Sequence, residues 1–328
     1  MAEIGIIVGG EQPGRRAALA RSAAVTADVF RAEGHTVRVV EAGDPRTVDR
    51  IRGVDVAFLG LADDYAEHGT LQGVLEALGI PYTGSGVAAS VRSMHKPSAK
   101  ERVAAAGVDV LAQVRGTELD GARADGARRA VDRVGLPAIV KPEAEGCSAG
   151  ISVARTPEEL AGTLARHRAV GRRVFVEPFV VGRSVTVGVL QDADGTCAAL
   201  PVLEIDSGRE FFDHDAKHAL GVTRLCPADV PAGAAGRLAR AAVTAHRVLG
   251  CRGYSRSDFV LTPDGRAYWL EVNALPALRE TASFATAAGA AGLTYGELML
   301  RVLSTAAHPS ADGPGPSASS VPSPYGAP

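Results

Sequence analysis

Two short segments hold the residues best suited to chemistry. Arg256-Ser-Asp258 and Glu271-Val-Asn273 flank Pro263-Asp-Gly265, a turn signal between two apolar runs. A hairpin closed there sets Asp258 opposite Glu271 and Arg256 opposite Asn273. All four side chains then share a face, because residues i and i+2 of a strand point the same way. Two carboxylates and an amide oxygen in such proximity make an all-oxygen site suited to Mg²⁺. Carboxylates that close repel unless a cation sits between them, which gives the pairing a physical reason. The competing reading is an ordinary hairpin with one ion pair on a solvated face.

Other groups are weaker taken singly. Lys141 ends the apolar run Ala138-Ile-Val, and the small residues Gly146-Cys147-Ser148-Ala149-Gly150 follow. A fixed positive charge beside backbone N–H groups can cover a polyphosphate; a plain turn fits as well. The spacing is not that of the GxxxxGK[ST] phosphate loop. Glu177-Pro-Phe179 ends another strand, where a carboxylate can read an adenine amine with Phe179 against the ring. A core Phe beside a surface Glu is the alternative there. Lys96 and Lys217 stand singly in mixed surroundings, where lysines are most often solvated. Lys217-His218 ends a polar run from Phe211 that reads as a loop closing over a site.

The elements that must position these residues follow from periodicity and breakers. Ile4–Val8, a helix from Arg15 to Glu33 stopped by Gly34, Thr36–Glu41, Val54–Leu61 and a helix over Thr70–Leu78 form a βαβ series. That pattern predicts a mostly parallel sheet with right-handed crossovers. Further helices are expected over Lys96–Gly107, Thr156–His167 and Gly233–Leu249. Further strands are expected over Ala138–Lys141, Val174–Glu177, Val185–Leu190, Ala198–Ile205, Ser255–Leu261 and Arg266–Val272. Residues 307–328 are rich in Pro, Ser and Gly and should form a disordered tail.

Composition excludes several classes. With 35 Lys+Arg against 37 Asp+Glu the chain lacks the basic excess of a polyanion binder. With aromatics at 5% and one Trp, stacking on single-stranded nucleic acid is not expected. No apolar run reaches about 18 residues, so no membrane helix is expected. Four cysteines without CxxC spacing fit neither a disulfide framework nor a thiolate zinc site. The N-terminal residues read as a first strand rather than a signal peptide. These readings together give a cytoplasmic α/β enzyme with no nucleic-acid or membrane partner.

The order of these groups resembles the ATP-grasp ligases, and within them the D-alanine–D-alanine ligase family. The resemblance rests on Gly69-Thr-Leu-Gln-Gly73, Ile80-Pro-Tyr-Thr-Gly-Ser-Gly86, Ser93-Met94-His95-Lys96 and Leu136-Pro-Ala-Ile-Val-Lys141-Pro142. It continues through Phe211-Phe-Asp-His-Asp-Ala-Lys217, Cys226-Pro-Ala228, Gly250 to Asp258 and Glu271-Val-Asn273-Ala-Leu-Pro276. It implies an α/β ATP-grasp fold of three lobes: an N-terminal domain over 1–92, a central lobe over 93–180 and a catalytic lobe over 181–306. It implies that Lys96 and Lys141 contact ATP phosphates, that Glu177 and Phe179 hold adenine, and that Lys217 reaches the γ-phosphate. Asp258, Glu271 and Asn273 would hold Mg²⁺, Arg256 would stabilise the acyl phosphate and the oxyanion, and two copies would form a homodimer.

The departures from the family pattern cluster at the amino-acid-binding positions. Gly14 stands where the family keeps a Glu for the first ammonium, with Glu11 a nearby substitute. Cys147, beside Ser148, replaces a Ser, and His218 replaces a Tyr; in the family those three positions form one hydrogen-bonded triad. The family's Leu-His-Gly histidine is missing near Phe58–Ala62, while Glu67 fits the later acid. Ala277 replaces a Gly, an acid expected near the ribose aligns with Ser184, and the carboxylate-binding Ser aligns with Ala282, leaving Ser283 one place along. The expectation is an ATP-dependent carboxylate–amine ligase acting on amino-acid-like substrates other than two D-alanines, in specialised metabolism. A D-alanine–D-alanine ligase of peptidoglycan synthesis, an intramolecular amide-forming cyclase and a non-catalytic nucleotide-binding protein are the alternatives.

Overall fold

The computed structural model describes residues 1–9, 13–62, 64–119, 123–146, 150–206, 223–231 and 233–306. Strands β1 (Glu3–Val8), β2 (Thr36–Glu41) and β3 (Val56–Leu61) form the expected parallel sheet, in the order β2-β1-β3. Helix α1 (Pro13–Ala32) crosses from β1 to β2, α2 (Thr47–Ile51) leads into β3, and α3 (Asp64–Glu67) and α4 (Thr70–Ala77) follow it. Ile4, Ile6 and Ile7 of β1 are buried with Phe30 and Phe58, whose rings meet edge to face at 5.2 Å. Burying side chains of this size stabilises by roughly 1.5–3 kcal/mol each.

The chain continues through α5 (Val87–Met94), α6 (Lys96–Ala105), α7 (Gly116–Leu119) and α8 (Arg123–Val134). A small antiparallel sheet follows, β5-β4-β6, from β4 (Ala138–Pro142), β5 (Ser152–Ala154) and β6 (Val174–Pro178), with α9 (Pro157–Ala169) between β5 and β6. Helices α8 and α9 cover this sheet through Ala127, Ala130, Leu160 and Leu164.

The largest sheet has the order β10-β9-β7-β11-β12, with β8 also paired to β7. Its strands are β7 (Arg183–Gln191), β8 (Cys197–Ala199), β9 (Leu203–Asp206), β10 (Thr223–Leu225), β11 (Tyr254–Leu261) and β12 (Ala267–Asn273); α10 (Ala234–Leu249) precedes β11. The strand expected over Ala198–Ile205 is split, because Pro201 has no N–H to donate in mid-strand. Ala99 and Val103 of α6 share this sheet's core with Leu238, Ala242 and Trp269. The last described elements are α11 (Ser283–Ala290), whose Phe284 meets Tyr254 of β11 edge to face at 5.7 Å, and α12 (Tyr295–Leu303), whose Leu298 and Met299 join the core that holds the first sheet. Among the described residues no helix is long and apolar enough to cross a membrane.

His246 sits 1% exposed in α10, its Nδ1 2.8 Å from Ser255 Oγ. Burial, aided by Arg247, pushes its pKa down to about 4. The unfolded chain takes up that proton near pH 6.5, so the fold is increasingly penalised as pH falls from 6.5 towards 4. The expected loss is about 3 kcal/mol at the acid end, at about 1.4 kcal/mol per pH unit. Melting curves across this window should show the slope, and His246→Gln should flatten it; an equal slope in the variant would exclude His246 as its origin.

Candidate active site

The hairpin β11–β12 places the chemistry-bearing residues, but not by turn geometry alone. Its loop holds three residues, closed by Gly265 N–H donating to Thr262 O at 2.9 Å with Gly265 at φ +82°, a value that favours glycine. Near the loop this sets Leu261 against Ala267 and Phe259 against Trp269, one residue out of the expected register. A bulge at Leu270 absorbs the offset, and beyond it Asp258 faces Glu271 and Arg256 faces Asn273 as expected. Without the bulge Asp258 would face Leu270.

These side chains line a cleft of about 330 Å³, together with Lys96, Lys141, Glu67, Phe179 and Ser283. Arg256 donates from Nε and Nη2 to the two oxygens of Asp258 at 2.8 and 2.9 Å, and Thr186 Oγ1 donates to Asp258 Oδ1 at 2.7 Å. Burial disfavours the Arg256 charge, yet Asp258, Glu271 and Glu67 outweigh it and hold its pKa above the ordinary arginine value. Arg256 is therefore a permanent cation, with Nη1 not used in the Asp258 pair. Asn273 Nδ2 donates to Glu67 Oε1 at 2.7 Å, and its Oδ1 accepts from Leu275 N at 2.8 Å. Glu67 comes from α3, which follows β3, so this bond ties α3 to the end of β12 at the cleft.

Lys96 begins α6. Its backbone N–H donates to Glu143 O at 2.8 Å, its Nζ donates to Glu145 O at 2.7 Å, and Nζ lies 3.3 Å from Glu271 Oε2. Lys141 Nζ donates to Glu177 Oε2 at 2.8 Å. Glu177 is 0% exposed and is also paired with Lys100 of α6 through its other oxygen. Burial alone would raise the Glu177 pKa, but the two lysines win and lower it. Its carboxylate thus anchors two lysines rather than opening onto the cleft, while Phe179 and Val180 do line it.

Gly60 explains how the segment after β12 reaches the first sheet. A Cβ there would meet Leu278 Cδ1 at 2.5 Å, and Leu278 N–H donates to Gly60 O at 2.9 Å. That seats Ala277, Arg279, Ala282 and Ser283 along the cleft wall. Gly14 lies in the first turn of α1. Glu11, Cys147, Ser148, Lys217, His218 and the tail 307–328 lie outside the described residues.

Among the described residues no three or more of His, Cys, Asp and Glu converge as a metal site. The donor set Asp258, Glu271 and Asn273 still fits Mg²⁺, which keeps several waters and takes only one or two carboxylates beside phosphate oxygens.

Comparison with known proteins names this architecture. The family model described as D-ala D-ala ligase C-terminus matches residues 103–304. A D-alanine–D-alanine ligase of Anaeromyxobacter sp. is 38% identical over 313 residues, covering 93% of this chain and 97% of that relative. The chain belongs to the D-alanine–D-alanine ligase family. A relative in the family from Geotalea uraniireducens is 37% identical over 307 residues, covering 93% of this chain and 96% of the relative. The crystal structure of the Bacillus anthracis D-alanine–D-alanine ligase complexed with ATP superposes with a TM-score of 0.74 at 25% identity, covering 93% of this chain and 97% of that one. Membership in the family agrees with the sequence resemblance and with the ATP-grasp fold it implied.

The sequence reading passed over Lys100, Thr186, Arg224 and Arg279. Lys100 sits one turn beyond Lys96 on α6, a spacing that placed it on the same face. The other three carry no local signal, because only strand pairing and the fold-back after Pro276 bring them to the cleft.

Proposed function

We propose that this chain is an ATP- and Mg²⁺-dependent ligase joining the carboxylate of one amino-acid-like substrate to the amine of another, and that the pair is not two D-alanines. The observation that carries the proposal is the single cleft shared by Lys96, Lys141, Arg256, Asp258, Glu271 and Asn273, whose positions at Ala277 and Ala282 offer no polar side chain. Loss of the family's polar groups at Ala282 and Gly14, beside an intact cation and carboxylate set, supports altered substrates rather than decay.

A carboxylate oxygen of the first substrate attacks the γ-phosphorus, the bond to ADP breaks, and an acyl phosphate forms. The amine of the second substrate then attacks the acyl carbon, the C–O bond to phosphate breaks, and the amine's surplus proton leaves with phosphate or solvent. Lys96 and Lys141 offset phosphate charge as ADP departs. Arg256, held by Asp258, offers its remaining N–H groups to the oxyanion of the second step. Mg²⁺, when bound at Asp258, Glu271 and Asn273, neutralises the phosphate oxygens. A homodimer through the N-terminal domain and a cytoplasmic setting are carried with the proposal by analogy with the family.

A second reading, D-alanine–D-alanine ligation in peptidoglycan synthesis, is favoured by the name of relatives that match over more than nine-tenths of both chains. Phosphate release from ATP across a panel of D- and L-amino acids, alone and in pairs, separates the two. Turnover with pairs other than D-alanine with itself is the expected result. Efficient turnover with D-alanine alone would overturn the altered-substrate reading in favour of the second. Release with one substrate and a product lighter by water would point to cyclisation, and no release with any substrate would overturn ligation altogether.

A further inference from the structure

We infer that Glu143, together with His95, is a positioning residue that sets Lys96 for the phosphates of ATP, an inference that rests on the ligase reading. The need arises in the first turn of α6, because an α-helix leaves its first N–H groups without intrahelical partners. The Lys96 N–H donates to Glu143 O at 2.8 Å, Pro97 has no N–H, and Ser98 N–H donates to His95 Nδ1 at 3.3 Å. The two donors left over are thus met by Glu143 and His95. With Nδ1 accepting, the neutral His95 ring carries its proton on Nε2, which lies 3.4 Å from Glu143 Oε2.

The Glu143 side chain is 7% exposed and joins two further elements. Its Oε1 accepts from Gly116 N at 3.3 Å, where α7 begins, and its Oε2 lies 3.1 Å from Arg173 Nε, just before β6. A Cβ on Gly116 would meet Glu143 Oε1 at 2.8 Å, so α7 closes directly on the carboxylate. The Glu143 N–H donates to Arg173 O at 3.1 Å, which fixes the backbone as well. Lys96 is held by the same segment at its far end, since Nζ donates to Glu145 O at 2.7 Å. Its direction therefore depends on where residues 143–145 stand relative to α6. A phosphate oxygen entering the cleft competes with Glu145 O for Nζ. The Lys96 N–H and the His95–Glu143 contact then keep the lysine aimed. Bonds to a carboxylate are the stronger kind, and misplacing a charged group by about 1 Å can cost about 10²-fold. Glu143 and His95 stand behind the cleft wall rather than in it, so both act through Lys96.

The test is calorimetric binding to the full chain with Mg²⁺, of ATP and of adenosine, which carries no phosphate. Glu143→Ala should weaken ATP binding by about tenfold while adenosine stays within about twofold. His95→Asn keeps an acceptor for Ser98 N–H but is too short to reach Glu143, and it should weaken ATP by about threefold or more. The double variant should lie within about twofold of Glu143→Ala, because residues that act as one unit do not add. Arg173→Met removes an ion pair whose arginine is 71% exposed, and it should leave ATP binding within about twofold. Unchanged ATP affinity in Glu143→Ala, equal loss of ATP and adenosine, an additive double variant, or an equal loss in Arg173→Met would overturn the role. Should Glu143→Ala fail to fold, judged by its melting curve, Glu143→Gln keeps the volume and takes its place. Its amide turns N–H groups towards His95 and Arg173, so ATP alone should weaken. An intact protein that binds no ATP would overturn the ligase reading and this role with it. An intact protein that binds ATP no better than its variants do would overturn this role only.

Discussion

Arg256→Ala is expected to lower ligation by a factor of about 10²–10³, the usual cost of removing one oxyanion donor, while leaving nucleotide affinity within a few fold. The guanidinium is fixed by both oxygens of Asp258 and does not lose its charge at any working pH, so it meets the developing oxyanion without reorganising. Arg256→Lys should recover little, because an ammonium cannot hold Asp258 through two parallel bonds and still offer further N–H groups. Phosphate release and a nucleotide-binding titration on the same preparation separate the two effects. Ligation that survives in Arg256→Ala would remove the proposed role, and equal loss of nucleotide binding would move Arg256 to the ATP side of the reaction.

Glu177→Ala should be the most damaging single change to stability, at about 3–5 kcal/mol. The carboxylate is fully buried and paired with both Lys100 and Lys141, and Lys100 is itself fully buried. Removing it leaves two confined cations with no counter-charge. In the intact protein the lysines lower the Glu177 pKa against the opposing effect of burial. Its contribution is therefore present above the ordinary carboxylate range and is lost as pH falls through the lowered value. Burial already lowers the Lys100 pKa, with Glu177 opposing it. Without Glu177 that pKa drops further, so the variant should regain stability as pH rises towards the lysine range. Denaturant titrations of both proteins at neutral and alkaline pH measure this. A loss below about 1 kcal/mol, or one that does not shrink with rising pH, would show that the triad is not a coupled unit.

Much of the site was legible because its signals are local. Pro263-Asp-Gly265 between apolar runs gave the hairpin, and the alternation of residue types put Arg256, Asp258, Glu271 and Asn273 on one face. The first sheet followed from three apolar runs, with helices stopped at Gly34 after the first and at Gly79 after the third, and the parallel order agrees. Helices α5, α11 and α12 escaped notice. α5 buries Ala89, Ser90 and Ser93 rather than large apolar groups, and α11 packs against β7 and α12 against α1, distant segments about which local periodicity carries no information. Glu177 was legible as a strand-end acid, but its burial between two lysines was not, since Lys100 arrives from a helix 77 positions upstream.

By itself, then, the sequence determined the residue types, the hairpin that carries them, the parallel first sheet and the family. Only the tertiary structure decided three things. The bulge at Leu270 repairs a register that the three-residue loop would have put wrong, a matter of hydrogen bonds to β7 and to the loop together. Glu177 is withdrawn from the cleft by two lysines that no spacing rule links to it. Arg224 and Arg279 line one cleft although 55 positions separate them. The physical reason is common to all three. Side-chain type and local periodicity act over a few residues, whereas register, burial and the pairing of charges depend on which distant segments the packed chain brings together.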